Sequence, residues 1–178
     1  MRKIILVTGG QRSGKSRYSE KLALQLAVNP VYLATAHVWD DEFAKRVERH
    51  KAGRGEQWTN IEEEKELSRH ELSGRVIVID CVTLWATNFF FDESTAEKSN
   101  ENQDAVQCAL LRLKAEFDKF TAQDAVFIFV TNEIGMGEVS SNELQRRFTD
   151  LQGWMNQYIA SKANEVILMV SGIPVKIK

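Results

Sequence analysis

Residues 9 to 16 read Gly9-Gly10-Gln11-Arg12-Ser13-Gly14-Lys15-Ser16 and fit the pattern G-x-x-x-x-G-K-[ST]. The flanks make the match restrictive. Upstream, Lys3 to Thr8 is an apolar, β-branched run of strand length, and downstream Tyr18, Leu22 and Leu26 recur at helical spacing. A strand must therefore turn through glycines directly into a helix. Glycines let a backbone wrap closely around phosphate oxygens, while successive N–H groups and the helix N-terminus favour negative charge. In such a loop Lys15 reaches the β- and γ-phosphates and the Ser16 hydroxyl ligates Mg²⁺. The bland alternative is a glycine turn that happens to contain Lys-Ser, and the flanks weigh against it.

Apolar runs alternate with amphipathic stretches along the rest of the chain, the rhythm of strand-crossover-strand units around a parallel sheet. Strands are predicted at Lys3 to Thr8, Val31 to Thr35, Arg75 to Asp80, Ala125 to Thr131 and Glu165 to Ser171. Helices are predicted at Lys15 to Ala27, Asp41 to His50, Ala105 to Phe120 and Asn142 to Ser161. Val175 to Lys178 alternates apolar with charged and suits an edge strand after a turn at Gly172 and Pro174. Asp92 to Asp104 is polar and reads as an excursion. The fold class is α/β: a P-loop NTPase (RecA-like) fold whose mostly parallel sheet carries helices on both faces and a short antiparallel edge strand.

With 178 residues, 43% of them hydrophobic, the chain is expected to form one nucleotide-binding catalytic domain over 1–178. A formal net charge of −2 advertises no nucleic-acid partner, and no run is long enough to span a membrane. The apolar start is too short for a signal peptide, and Cys81 and Cys108 lack metal-ligand spacing. The reading is a cytoplasmic protein.

Two further features bear on chemistry. Val76-Ile77-Val78-Ile79 ends in Asp80, placing a carboxylate at a strand's carboxyl end, where nucleotide enzymes hold Mg²⁺ or a general base. An ordinary N-cap for the following helix is its plainer alternative. Asp41 to Arg54 gathers Lys45, Arg46, Arg49, Lys51 and Arg54 around His50. A neutral imidazole among cations that hold a polyphosphate can attack phosphorus without a separate base. Phe43, Val47 and His50 also share one helix face, so a partly buried structural histidine stands as the alternative. His37 and His70 lack the cationic setting.

Several segments in order, Thr8 to Ser16, Tyr32-x-Ala34-Thr35, Asp40-Asp41-Glu42, Arg46, His50-Lys51-x-Gly53-Arg54, Val130 to Gly137, Asn156-Gln157 and Val170 to Lys176, make the chain resemble the bifunctional adenosylcobinamide kinase/adenosylcobinamide-phosphate guanylyltransferase family. The resemblance implies two reactions. A nucleoside triphosphate, ATP or GTP, phosphorylates adenosylcobinamide. GTP then guanylylates a histidine, releasing pyrophosphate, and the GMP passes to adenosylcobinamide phosphate to give adenosylcobinamide-GDP. It places His50 at the guanylylated position, Glu62 and Asp80 at carboxylates near the nucleotide, and Ala34 and Thr35 at strand-end contacts. Lys51, Ala52, Gly53 and Arg54 join them beside the nucleotide. It also implies a homotrimer with the site near a subunit boundary. Arg49 stands where some members carry another histidine, and position 80 is Asp where Glu also occurs.

Two other readings start from the same loop: a small-molecule kinase without guanylyl transfer, and a RecA-like regulatory ATPase. At Thr131 to Gly137 a strand ends in Thr-Asn-Glu and a Gly-x-Gly turn, so Asn132 and Glu133 are expected to contact substrate or order the site.

Overall fold

The computed structural model describes residues 1–37, 55–92 and 102–178. The helix expected over Asp41 to His50 lies outside them. One sheet joins β1 (Lys3–Gly9), β2 (Val31–Ala34), β3 (Thr59–Glu62), β4 (Val76–Asp80), β5 (Val126–Val130), β6 (Glu165–Val170) and β7 (Ile173–Lys176), in the order β3-β2-β4-β5-β1-β6-β7. All the pairings are parallel except β6 with β7.

Successive strand residues point to opposite faces, and the run Ile4-Ile5-Leu6-Val7 is buried on both. Ile4 and Leu6 enter one hydrophobic cluster, with Leu33, Ile79, Phe127 and Phe129. Ile5 and Val7 enter the other, with Tyr32, Val78 and Ile128. A sheet apolar on both faces needs cover on both. α1 (Lys15–Leu26) supplies it on the second face, burying Ala23 with Tyr18 and Leu22 packed beside it. The first face receives α2 (Val82–Phe90), α3 (Asn102–Phe120) and α4 (Glu143–Lys162). The larger side chains sit there: the rings of Phe117 and Phe129 are 5.1 Å apart and those of Phe120 and Phe127 5.0 Å.

Two elements depart from the expected set. β3 is short and polar because it is an edge, and only its Ile61 packs against the core. α2 buries Val82, Trp85, Ala86 and Phe89 at i, i+3, i+4 and i+7, a short stripe that is not among the expected helices. α3 begins at Asn102, inside the stretch read as an excursion. The C-terminal hairpin turns at Ser171 and Gly172, whose φ angles of 50° and 85° suit a two-residue turn between twisted strands. Pro174 belongs to β7 and not to the turn, and an edge strand tolerates its missing N–H.

This topology puts the carboxyl ends of all the parallel strands on one rim. The glycine loop follows β1, Thr35 follows β2, Glu62 and Asp80 end β3 and β4, and Thr131 to Glu133 follow β5. The Ser171–Gly172 turn follows β6 on the same rim.

Candidate active site

The glycine loop is held by its neighbours as well as by its own turns. Gly9 has φ 148°, and a Cβ there would lie 2.5 Å from the Met169 carbonyl oxygen on β6. Gly14 caps α1 at φ 96°, where a Cβ would lie 3.3 Å from the Cα of Gly172. The Gly172 N–H also donates to the Ser13 carbonyl at 2.9 Å, so the hairpin tip forms one wall of the loop. No side chain caps α1, which leaves its first amides to an anion.

Lys15 is buried, and its ammonium donates to the Gly10 carbonyl at 2.7 Å. Burial lowers its pKa, while the negative charge of Asp80 acts the other way. A phosphate would offer Lys15 a charged acceptor in place of a neutral carbonyl. Ser16, in the first turn of α1, is half-buried.

Strand register assembles the next group. Ala34 pairs with Glu62 on one side and with Asp80 on the other, so these three stand abreast at the rim. The Asp80 Oδ2 accepts the Tyr32 hydroxyl at 2.7 Å. Asp80 does not cap α2; the cap position is Cys81, with no side-chain cap bond. Thr35 is fully buried: its hydroxyl donates to the Cys81 carbonyl at 2.7 Å and accepts from the Cys81 N–H at 3.0 Å. It thereby ties β2 to the start of α2. Burial, with the charge of Asp80 adding to it, pushes the Cys81 thiol up to about 12, so it stays protonated and is no nucleophile.

Among the described residues no group of three or more His, Cys, Asp or Glu could cage a metal. Mg²⁺ needs no such cage, because it keeps waters and takes one or two protein oxygens plus substrate phosphates. The Ser16 hydroxyl and the Asp80 carboxylate beside a phosphate loop fit that donor set.

A hydrogen-bonded network lies between β1, β5 and α4. The Glu133 N–H donates to the Gly9 carbonyl at 3.2 Å. The Glu133 Oε1 accepts the Thr8 hydroxyl at 2.6 Å and the Asn156 amide at 3.2 Å. Behind it, the buried Asn156 Oδ1 accepts from the Thr131 hydroxyl at 2.7 Å and from the Gln152 amide at 2.9 Å. Asn132 is fixed through its backbone and side-chain N–H groups, which donate to the Thr83 hydroxyl at 3.2 and 3.1 Å. Sequence reasoning overlooked Gln152 and Thr83. Gln152 and Asn156 left a trace, a polar pair at i and i+4 on the stripe of α4 that also buries Leu151, Met155 and Ile159. Thr83 left none.

His50, Lys51, Ala52, Gly53 and Arg54 lie outside the described residues. The other two histidines are engaged by carboxylates: His37 Nδ1 lies 2.8 Å from Glu64 Oε1, and His70 Nε2 lies 3.5 Å from Glu63 Oε2.

A phosphate loop after the first strand, a carboxylate two strands away and an antiparallel edge define a P-loop nucleotide-binding enzyme. The family described as cobinamide kinase / cobinamide phosphate guanyltransferase matches residues 5–177, and the chain belongs to it. The bifunctional adenosylcobalamin biosynthesis protein CobU of Escherichia coli is 41% identical over 98% of this chain and 99% of its own length. Its counterpart CobP of Pseudomonas aeruginosa is 36% identical over 97% of this chain and 96% of its own. Among solved structures, an ATPase from a bacterial type III secretion system superposes with a TM-score of 0.55 at 11% identity, covering 93% of this chain and 50% of that one. That likeness concerns the fold alone.

Proposed function

We propose that this chain carries out both reactions of its family on one phosphate loop. In the first, ATP or GTP phosphorylates adenosylcobinamide. In the second, GTP guanylylates His50 with release of pyrophosphate, and the GMP passes to adenosylcobinamide phosphate to give adenosylcobinamide-GDP. The observation that carries the reading is the rim itself, where the loop of Gly9 to Ser16 lies within one sheet's carboxyl edge with Glu62, Ala34 and Asp80 abreast.

In this reading Lys15 and the loop amides hold the triphosphate, and Ser16 and Asp80 hold Mg²⁺. The metal neutralises charge on the phosphates when bound. Ala34 and Glu62 bound the nucleotide on the β2–β3 side, while Thr35, expected there as a contact, is fully buried and instead holds β2 to the start of α2. Lys51 to Arg54 bring cations to it, and His50 supplies the nucleophile. The protein is a single catalytic domain, active in the cytoplasm as a homotrimer. Among the described residues no helix is long and apolar enough to cross a membrane.

Incubation with α-labelled GTP tests the histidine. Guanylyl transfer needs an enzyme nucleophile, whereas phosphorylation proceeds by direct in-line attack of the substrate hydroxyl. His50→Ala is expected to abolish the label and to lower guanylyltransferase turnover by several orders of magnitude, leaving kinase turnover measurable. The adduct should be labile in acid and comparatively stable in base. Undiminished labelling, or a label mapped to His37 or His70, would overturn the assignment. A chain that phosphorylates but never takes the label would be a plain small-molecule kinase.

A further inference from the structure

Phosphorylation of a hydroxyl requires the attacking oxygen to lose its proton, and the phosphate loop itself offers no acceptor for it. Lys15 is a cation bonded to Gly10, and Asp80 is committed to Mg²⁺ in the function proposed above. Glu133 is arranged differently. Its backbone N–H is anchored to Gly9, and its Oε1 is pinned by the Thr8 hydroxyl and the Asn156 amide. Those bonds fix the carboxylate's plane and leave Oε2 without a hydrogen bond among the described residues. Nor does a Lys, Arg or His of the described residues pair with this half-buried side chain.

The network behind it has the form of a positioning shell. Gln152 and Thr131 fix the Asn156 amide, and Asn156 in turn fixes Glu133. Such support holds a reacting group to the tolerance that catalysis needs. Beyond Glu133 the chain displays Met136 and Val139 to solvent.

We propose that Glu133 is the general base of the phosphoryl-transfer step, with Asn156 as its positioning residue; this rests on the kinase half of the function proposed above. The acceptor's hydroxyl oxygen forms a bond to the γ-phosphorus as its proton passes to Glu133 Oε2. The bond from the γ-phosphorus to the bridging oxygen breaks, and its electron pair leaves with the nucleoside diphosphate.

Glu133→Gln keeps the shape and the acceptor for Thr8 while removing the base. Its kinase kcat is expected to fall about 10²- to 10⁴-fold. Nucleotide affinity, Mg²⁺ dependence and covalent labelling by α-labelled GTP should stay within a few-fold of the parent, a split that a loop merely loosened would not give. Glu133→Asp, which retains a carboxylate, should turn over at least about tenfold faster than Glu133→Gln. Equal turnover in the two variants, a kinase kcat near the parent's in Glu133→Gln, or a parallel loss of nucleotide affinity and labelling each overturns the proposal. A parent chain that takes the guanylyl label but never phosphorylates cobinamide removes the step that the base serves. That result would overturn this proposal while leaving the histidine chemistry standing.

Discussion

Lys15 carries the conflict between stability and binding in a single side chain. Its ammonium is buried against a neutral carbonyl, and burial holds its pKa below the ordinary 10.5 despite the opposing pull of Asp80. A lysine lowered in this way adds stability above pH 10.5, loses it as the pH falls through the lowered value, and at neutral pH is a net burden on the empty fold. Lys15→Met keeps the stem and discards the charge. It is expected to melt above the parent at neutral pH, with the gap narrowing as the pH approaches 10.5. The same variant should lose the thermal shift that Mg-GTP gives the parent, about 2.7 kcal/mol at a hundredfold excess over Kd. Parallel melting scans with and without nucleotide decide the matter. A variant that melts lower when empty would mean the ammonium is better satisfied than its single carbonyl partner implies.

At the level of elements, the loop is a strand end squeezed between β6 and the hairpin tip. Gly9→Ala forces a Cβ to 2.5 Å from the Met169 carbonyl at a positive φ, so the backbone must shift. The expected loss is about 1–3 kcal/mol of stability with weakened nucleotide binding. Gly10→Ala, where a Cβ meets nothing within 4 Å, should leave stability nearly unchanged. Urea unfolding of the two variants separates steric strain from a general need for glycine. The loop and its flanks were legible because their chemistry is written in consecutive residues, and the long strands because apolar runs buried on both faces are hard to read otherwise. α2 escaped because a stripe of Val82, Trp85, Ala86 and Phe89 within 9 residues is short for a helical pattern, and β3 because a four-residue edge carries one packed side chain, Ile61. Thr8 and Glu133 meet across the sheet, a contact that no spacing along the chain encodes. Asp80 could be read as a cap or a ligand from sequence; the cap position of Cys81 removes the first reading.

For the whole molecule, the proposed homotrimer makes a direct demand: the mass in solution should be roughly three times 20.3 kDa. Val170, Ile173, Val175 and Ile177 leave apolar surface of the C-terminal hairpin in water in a single chain, exposure that assembly could remove. Sedimentation equilibrium that fits a lone chain at micromolar concentration would discard the trimer. The sheet order has a further consequence, one of timing. β1 is translated first but lies between β5 and β6, and Gly172, which walls the phosphate loop, comes later still. A ribosome-bound chain therefore exposes its first strand with neither neighbour until the residues of β5 have been made, and with only one until those of β6 follow. Nucleotide cannot template such a chain early, and a product released before β6 would present an unpaired apolar edge to proteases and chaperones.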